Sequence, residues 1–82
     1  MTEITLIDER KGWRDRTVKK VSADELPASL IKVKDRIESA PQCEYSIILQ
    51  NGGHGKFFVN PPNMPQKQYS LFVMPDGIAA IN

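Results

Sequence analysis

The sequence predicts an α+β fold: an antiparallel sheet of five to six short strands with one helix packed across one face, in the order ββαββββ. Three observations carry this reading. Two apolar runs flank Asn51-Gly52-Gly53-His54-Gly55, which is how a β-hairpin looks in sequence. Between Leu26 and Ile37 the apolar residues fall at helical spacing. After Pro41 the apolar residues recur in short strand-like runs broken by turn residues.

Thr2 to Ile7 is β-branched and partly alternating, with Ile4 and Leu6 on one side, and reads as the first strand. Asp8 to Gly12 is polar and reads as a turn. Trp13 to Val21 is expected as the second strand, its charged majority suiting a sheet edge. Ser22-Ala23-Asp24-Glu25 matches a capping box, in which the serine hydroxyl and the glutamate carboxylate satisfy each other's backbone N–H. Pro27 suits a first helical position and not a deeper one, so a loose turn at 22–26 and a regular helix from Pro27 to Ser39 are expected. Leu26, Leu30, Val33 and Ile37 form one stripe, which Ile31 widens. Pro41 stops the helix.

Glu44 to Gln50 alternates, with Tyr45, Ile47 and Leu49 on one face, and Lys56 to Val59 answers it across the glycine turn. Asn60 to Lys67 holds three prolines and is expected as a stiff loop, either a recognition loop or a plain connection. Tyr69 to Met74 is apolar on both faces, Pro75-Asp76-Gly77 is a tight turn, and Ile78 to Ile81 pairs back as the last strand. Residues 1–82 form a single domain with no internal repeat. With one helix to cover one face, Phe58, Phe72 and Met74 are expected to leave an apolar surface on the other, where a partner would bind.

A chain of 82 residues buries about 60–65% of its unfolded surface and is worth about 4–12 kcal/mol of stability, so a cofactor cavity would consume much of its core. No cofactor is expected. The single cysteine, Cys43, cannot form an intramolecular disulfide, and one cysteine with one histidine cannot make a four-ligand zinc site without a partner chain. No basic start leads into a long apolar run, and no stretch approaches the ~20 apolar residues of a membrane helix. A cytoplasmic protein that does not enter membranes is the expectation.

The net charge of +1 conceals an uneven layout. Residues 10–20 carry six basic side chains and one acid, for +5, so the remainder sums to −4. Arg10, Lys11, Trp13, Arg14, Arg16 and Lys20 are therefore candidate binding residues. Basic side chains interleaved with an aromatic bind nucleic acid through phosphate contacts and stacking, but lysines on an edge strand also guard against aggregation, and a solvated or protein-contacting face is favoured.

His54 with Lys56 and Tyr69 makes the second candidate site, as a general-base or phosphate-contacting group. Histidine is the side chain whose ordinary titration falls near neutral pH, and flanking glycines permit close approach, although a solvent-exposed turn residue is the plainer reading. The glycines match neither G-x-x-x-x-G-K-[ST] nor G-x-G-x-x-G, which excludes a P-loop. Gly53-His54 through Phe57, with Pro61 in looser correspondence, resembles an element of the small ribonuclease toxins of the HicA family. Those cleave RNA with a histidine at such a position. The family's following helix has no counterpart here, so the resemblance is not extended to the fold. Cys43 lacks a neighbouring histidine, and Asp24, Glu25, Asp35 and Glu38 suggest no paired-carboxylate site.

The function expected is accordingly that of a small non-enzymatic protein-binding module, of the kind encoded by bacteria or phages to modulate or inhibit a larger partner. A nucleic-acid-binding protein using 10–20 stands second, and a ribonuclease using His54 third. Oligomeric state is not legible.

Overall fold

In the computed structural model, which describes residues 2–82, six strands form one sheet: β1 (Glu3–Asp8), β2 (Thr17–Ser22), β3 (Glu44–Leu49), β4 (His54–Asn60), β5 (Lys67–Val73) and β6 (Ala79–Ile81). One helix, α1 (Ile31–Ser39), is preceded by a 3-10 turn at Ala28–Leu30 that extends it back toward Pro27. The spatial order is β2-β1-β3-β4-β5-β6. The α+β class and the order of elements are those the sequence predicts.

Three details differ. The second strand begins at Thr17, because Trp13–Asp15 closes into a 3-10 turn whose Asp15 N–H donates to the Gly12 carbonyl. Gly12, at φ 106°, provides the bend that leads into it. The sheet is also mixed: β1 and β3 are parallel, while the other four pairings are antiparallel. The route of the chain explains this. Ser22 ends β2 opposite Glu3, at the start of β1. The 23–27 segment then climbs the sheet, and α1 descends it, so β3 must set out from the end where β1 began.

Finally, Ile31 does not widen the buried stripe. It is 43% exposed, whereas Leu30, Val33 and Ile37 are buried. The turn at Ala28–Leu30 carries 3-10 rather than α geometry, which sets where the stripe begins.

One face of the sheet carries the core: Ile4 and Leu6, Val21, Tyr45 and Ile47, Phe57 and Val59, Leu71 and Ala79. A helix about 10–12 Å across cannot cover six strands spaced ~4.8 Å apart. The climbing segment covers what α1 does not, packing Ala23 and Leu26 against the core. That segment is braced twice over its first residues. The Ser22 N–H and hydroxyl each donate to Glu25 Oε1 at 3.0 Å, which is the carboxylate half of the expected capping box. Asp24 pairs with Lys34 of α1 at 3.4 Å. Tyr45 stacks on Phe57 at 5.7 Å between centroids, and its hydroxyl donates to the Ala40 carbonyl just beyond α1. Burial pushes the Tyr45 pKa up to about 12, so the phenol stays protonated and keeps its donor.

Both hairpins follow the glycine chemistry. Gly52 and Gly53, at φ 77° and 75°, turn β3 into β4. Gly77, at φ 82°, closes the β5–β6 turn, where the Ile78 N–H donates to Asp76 Oδ1 at 2.9 Å.

Candidate binding surfaces

Strand register decides which side chains share a surface. On the face away from α1, Val18, Ile7 and Ile48 stand side by side across β2, β1 and β3. Ile48 is opposite Lys56 on β4, and Phe58 and Phe72 lie on the same face of β4 and β5. Val18 is 59% and Phe72 37% exposed, while Ile7, Ile48 and Phe58 are half-buried. Among the described residues no element crosses this face. Lys20, Lys56 and His54, three residues singled out in sequence, all stand on it and are exposed. Glu3 and Glu44 give the far end of the same face an acidic margin.

The remaining sequence candidates cluster around the β1–β2 connection, where local pairing alters their availability. Arg10 binds Asp8 through two guanidinium hydrogen bonds of 3.0 and 2.7 Å, and its backbone N–H donates to the same carboxylate at 3.0 Å. These bonds hold the Asp8 carboxyl down to about 2. Arg16 lies 4.3 Å from the centroid of the Trp13 ring and donates to the Trp13 carbonyl at 3.1 Å. This i, i+3 contact follows from the 3-10 turn, which eclipses residues three apart. Lys11, Arg14 and Lys20 are exposed without an ion pair among the described residues. Arg14 and Arg16 lie outside the strand expected over Trp13 to Val21, because Arg14 belongs to the turn and Arg16 follows it before the strand begins, so neither shares a strand face with Lys20.

A cleft of about 300 Å³ opens at the top of the core, between Pro27, Ser29 and Leu30 on one side and the Gln50–Gly55 turn on the other. Leu49, Leu71, Val73 and Ala79 make it largely apolar, and Arg10 and His54 both edge it. The Arg10 charge there is already matched by Asp8. His54 packs edge-on against Phe72, with ring centroids 5.4 Å apart and planes at 88°. No side-chain hydrogen bond orients its imidazole among the described residues. Tyr69 is not its neighbour: its hydroxyl accepts from Arg36 at 3.2 Å, under the helix.

Among the described residues no group of three His, Cys, Asp or Glu side chains is placed to hold a metal ion. Cys43 is half-buried as a free thiol. No helix of the described residues is long and apolar enough to cross a membrane.

The sequence pointed to Phe58 and Phe72 on the open face but not to the row of Val18, Ile7 and Ile48. The register that aligns Val18, Ile7 and Ile48 depends on the parallel β1–β3 pairing, which no local pattern encodes. Asp8-x-Arg10 and Trp13-x-x-Arg16 carried a readable signal, since spacings of two and three residues suit an acid–base pair across a turn and a contact across a 3-10 turn. Comparison with protein-family models, curated proteins and solved structures finds no match to this chain.

Proposed function

We propose that this chain is a protein-binding module without catalytic activity of its own, which docks on a larger partner through the uncovered face of its sheet. The observation that carries the proposal is the in-register row Val18–Ile7–Ile48, which meets Lys56 on β4 with Phe58 and Phe72 in the rows to either side, on a face that nothing in the described chain covers. Fully burying an exposed side chain of this size is worth about 1.5–3 kcal/mol, and several together must outweigh the ~4–15 kcal/mol that association costs in lost freedom. The molecule measures 33 × 29 × 23 Å, and one face at this scale is comparable to the ~800 Å² per partner that a standard interface buries. Lys20, Lys56 and His54 within the face supply the polar contacts that fix orientation.

The site residues also argue against chemistry. Among the described residues no acid orients His54, and general-base catalysis requires a held ring within reach of the substrate proton.

The test is affinity purification from the host cell, followed by mass spectrometry, with wild type and with Ile48→Thr/Phe72→Ser in parallel. A protein recovered by wild type and lost with the double variant, at matched melting behaviour, supports the reading. Equal recovery by both overturns it. Recovery abolished by nuclease treatment would instead favour the basic segment 10–20 as a nucleic-acid contact.

A further inference from the structure

The two edges of the sheet are not equivalent. β6 is three residues long and is the strand that α1 approaches most closely. β2 is six residues long, has no strand on its outer side, and exposes Thr17, Val18, Lys19 and Lys20 in succession. Such an edge offers unpaired backbone N–H and C=O groups at alternate residues.

The charges on β2 discriminate between possible partners. Register places Val18 and Lys20 on the uncovered face and Lys19 on the helix side. A strand arriving at this edge therefore meets one positive charge on each face. Neither lysine forms an ion pair among the described residues. Glu25 is near enough for Lys19 to contribute to lowering its pKa, after the larger effect of the Ser22 hydrogen bonds, but the two do not pair. Upstream, exposed Arg14 and Arg16 flank exposed Asp15, so that stretch adds one net positive charge. A second copy pairing antiparallel about a twofold axis at Lys19 would set Lys19 against Lys19, and one about Lys20 would set Lys20 against Lys20; like charges directly opposite one another destabilise a sheet. The same arrangement favours carboxylates. Val18 heads the row that continues through Ile7 and Ile48, so an apolar side chain opposite Val18 would extend that row by one strand.

We infer that β2 is a docking edge for an extended acidic segment of a protein partner, which joins the sheet as a seventh strand with carboxylates opposite Lys19 and Lys20 and an apolar side chain opposite Val18. The inference rests on the protein-binding reading and names the chemistry of the partner. Main-chain hydrogen bonds along the edge supply affinity, and the alternating side chains supply selectivity.

The experiment titrates two end-capped peptides, Thr-Val-Glu-Glu-Val-Thr and Thr-Val-Lys-Lys-Val-Thr, into the full isotope-labelled chain and follows backbone amide resonances. The glutamate peptide is expected to shift the amides of residues 17–22 and leave those of β6 unmoved. It should bind about tenfold more tightly than the lysine peptide, as two attractive cross-strand pairs replace two repulsive ones, and added salt should shrink that advantage. Lys19→Glu/Lys20→Glu, at two exposed positions, should reverse the preference.

Unmoved β2 amides, or equal shifts with both peptides, would overturn the inference. So would a single-stranded RNA oligonucleotide that displaces the glutamate peptide at lower concentration, which would assign the edge to nucleic acid. Partner recovery by the Ile48→Thr/Phe72→Ser pair is read separately, so the edge can fail while the face stands.

Discussion

Gly55, opposite Leu49 in the β3–β4 pair, runs so close to Ile48 that a Cβ on Gly55 would stand 2.7 Å from the Ile48 carbonyl oxygen. The obstacle is backbone, not a flexible side-chain end, and Leu71 closes the same space at 3.5 Å. Gly55 has no positive φ, so proximity alone makes glycine necessary there. Gly55→Ala should therefore destabilise the protein by about 1–3 kcal/mol, the range for overpacking a close-fitting site. Urea unfolding measures this, and an unchanged midpoint would mean that the two strands separate at little cost.

The helix register gives a paired test. Leu30 is 3% exposed and its neighbour Ile31 is 43% exposed. Leu30→Ala should cost about 2–5 kcal/mol, enough to populate unfolded molecules in a domain holding about 4–12 kcal/mol. Ile31→Ala should stay within about 0.5 kcal/mol, as surface substitutions do. Comparable losses at both positions, measured by thermal and urea denaturation, would show a helix rotated from the one described.

Local chemistry made most of this fold legible. The glycine-rich turn at 51–53, the stop at Pro41 and the Pro75-Asp76-Gly77 turn each follow from the conformational limits of single residues, and the strands between them follow from alternation. Apolar residues on the second face, Phe58 and Phe72, were readable because one helix cannot cover two faces. Three features were not. Trp13 could be a strand residue by propensity, and only the Gly12 bend and the Arg16 contact place it in a turn. The parallel β1–β3 pairing is a consequence of where the chain crosses the sheet, a long-range property with no local signature. The apolar cleft beside Leu30 and Gly53 arises where the end of the helix meets a turn more than twenty residues later in the chain.

The Asp8–Arg10 pair predicts a narrow acid dependence. Hydrogen bonding by Arg10 lowers the Asp8 pKa from 3.8 to about 2 in the folded chain. A depressed carboxyl pKa stabilises the fold fully above the unfolded value, and that contribution fades as pH falls from about 4 through about 2. Asp8 and Arg10 side chains are 31% and 60% exposed, so solvent screening keeps the effect below about 1 kcal/mol. Asp8→Asn should melt below wild type near neutral pH and converge with it near pH 2. A difference that persists undiminished at pH 2 would locate the loss elsewhere than in the charge.

His54 separates a binding module from a ribonuclease. Its neighbours Gly53 and Gly55 have no side chains to brace the ring, and the contact it does make is with the edge-on Phe72 ring of the open face. An aromatic pair is worth about 0.5–1.5 kcal/mol when well packed, and the exposure of both residues places this one at the low end or below. His54→Ala should therefore fold normally, lower the melting temperature slightly, and weaken partner binding modestly if the partner covers Phe72. His54→Phe, which preserves an aromatic contact with Phe72 and removes the titratable group, should recover most of both losses. A catalytic imidazole would behave differently, since phenylalanine can neither accept nor donate the proton. Incubation of wild type and both variants with total RNA gives the decisive comparison: intact RNA in all three fits the binding module, and cleavage by wild type alone would make the protein a ribonuclease and overturn the proposed function.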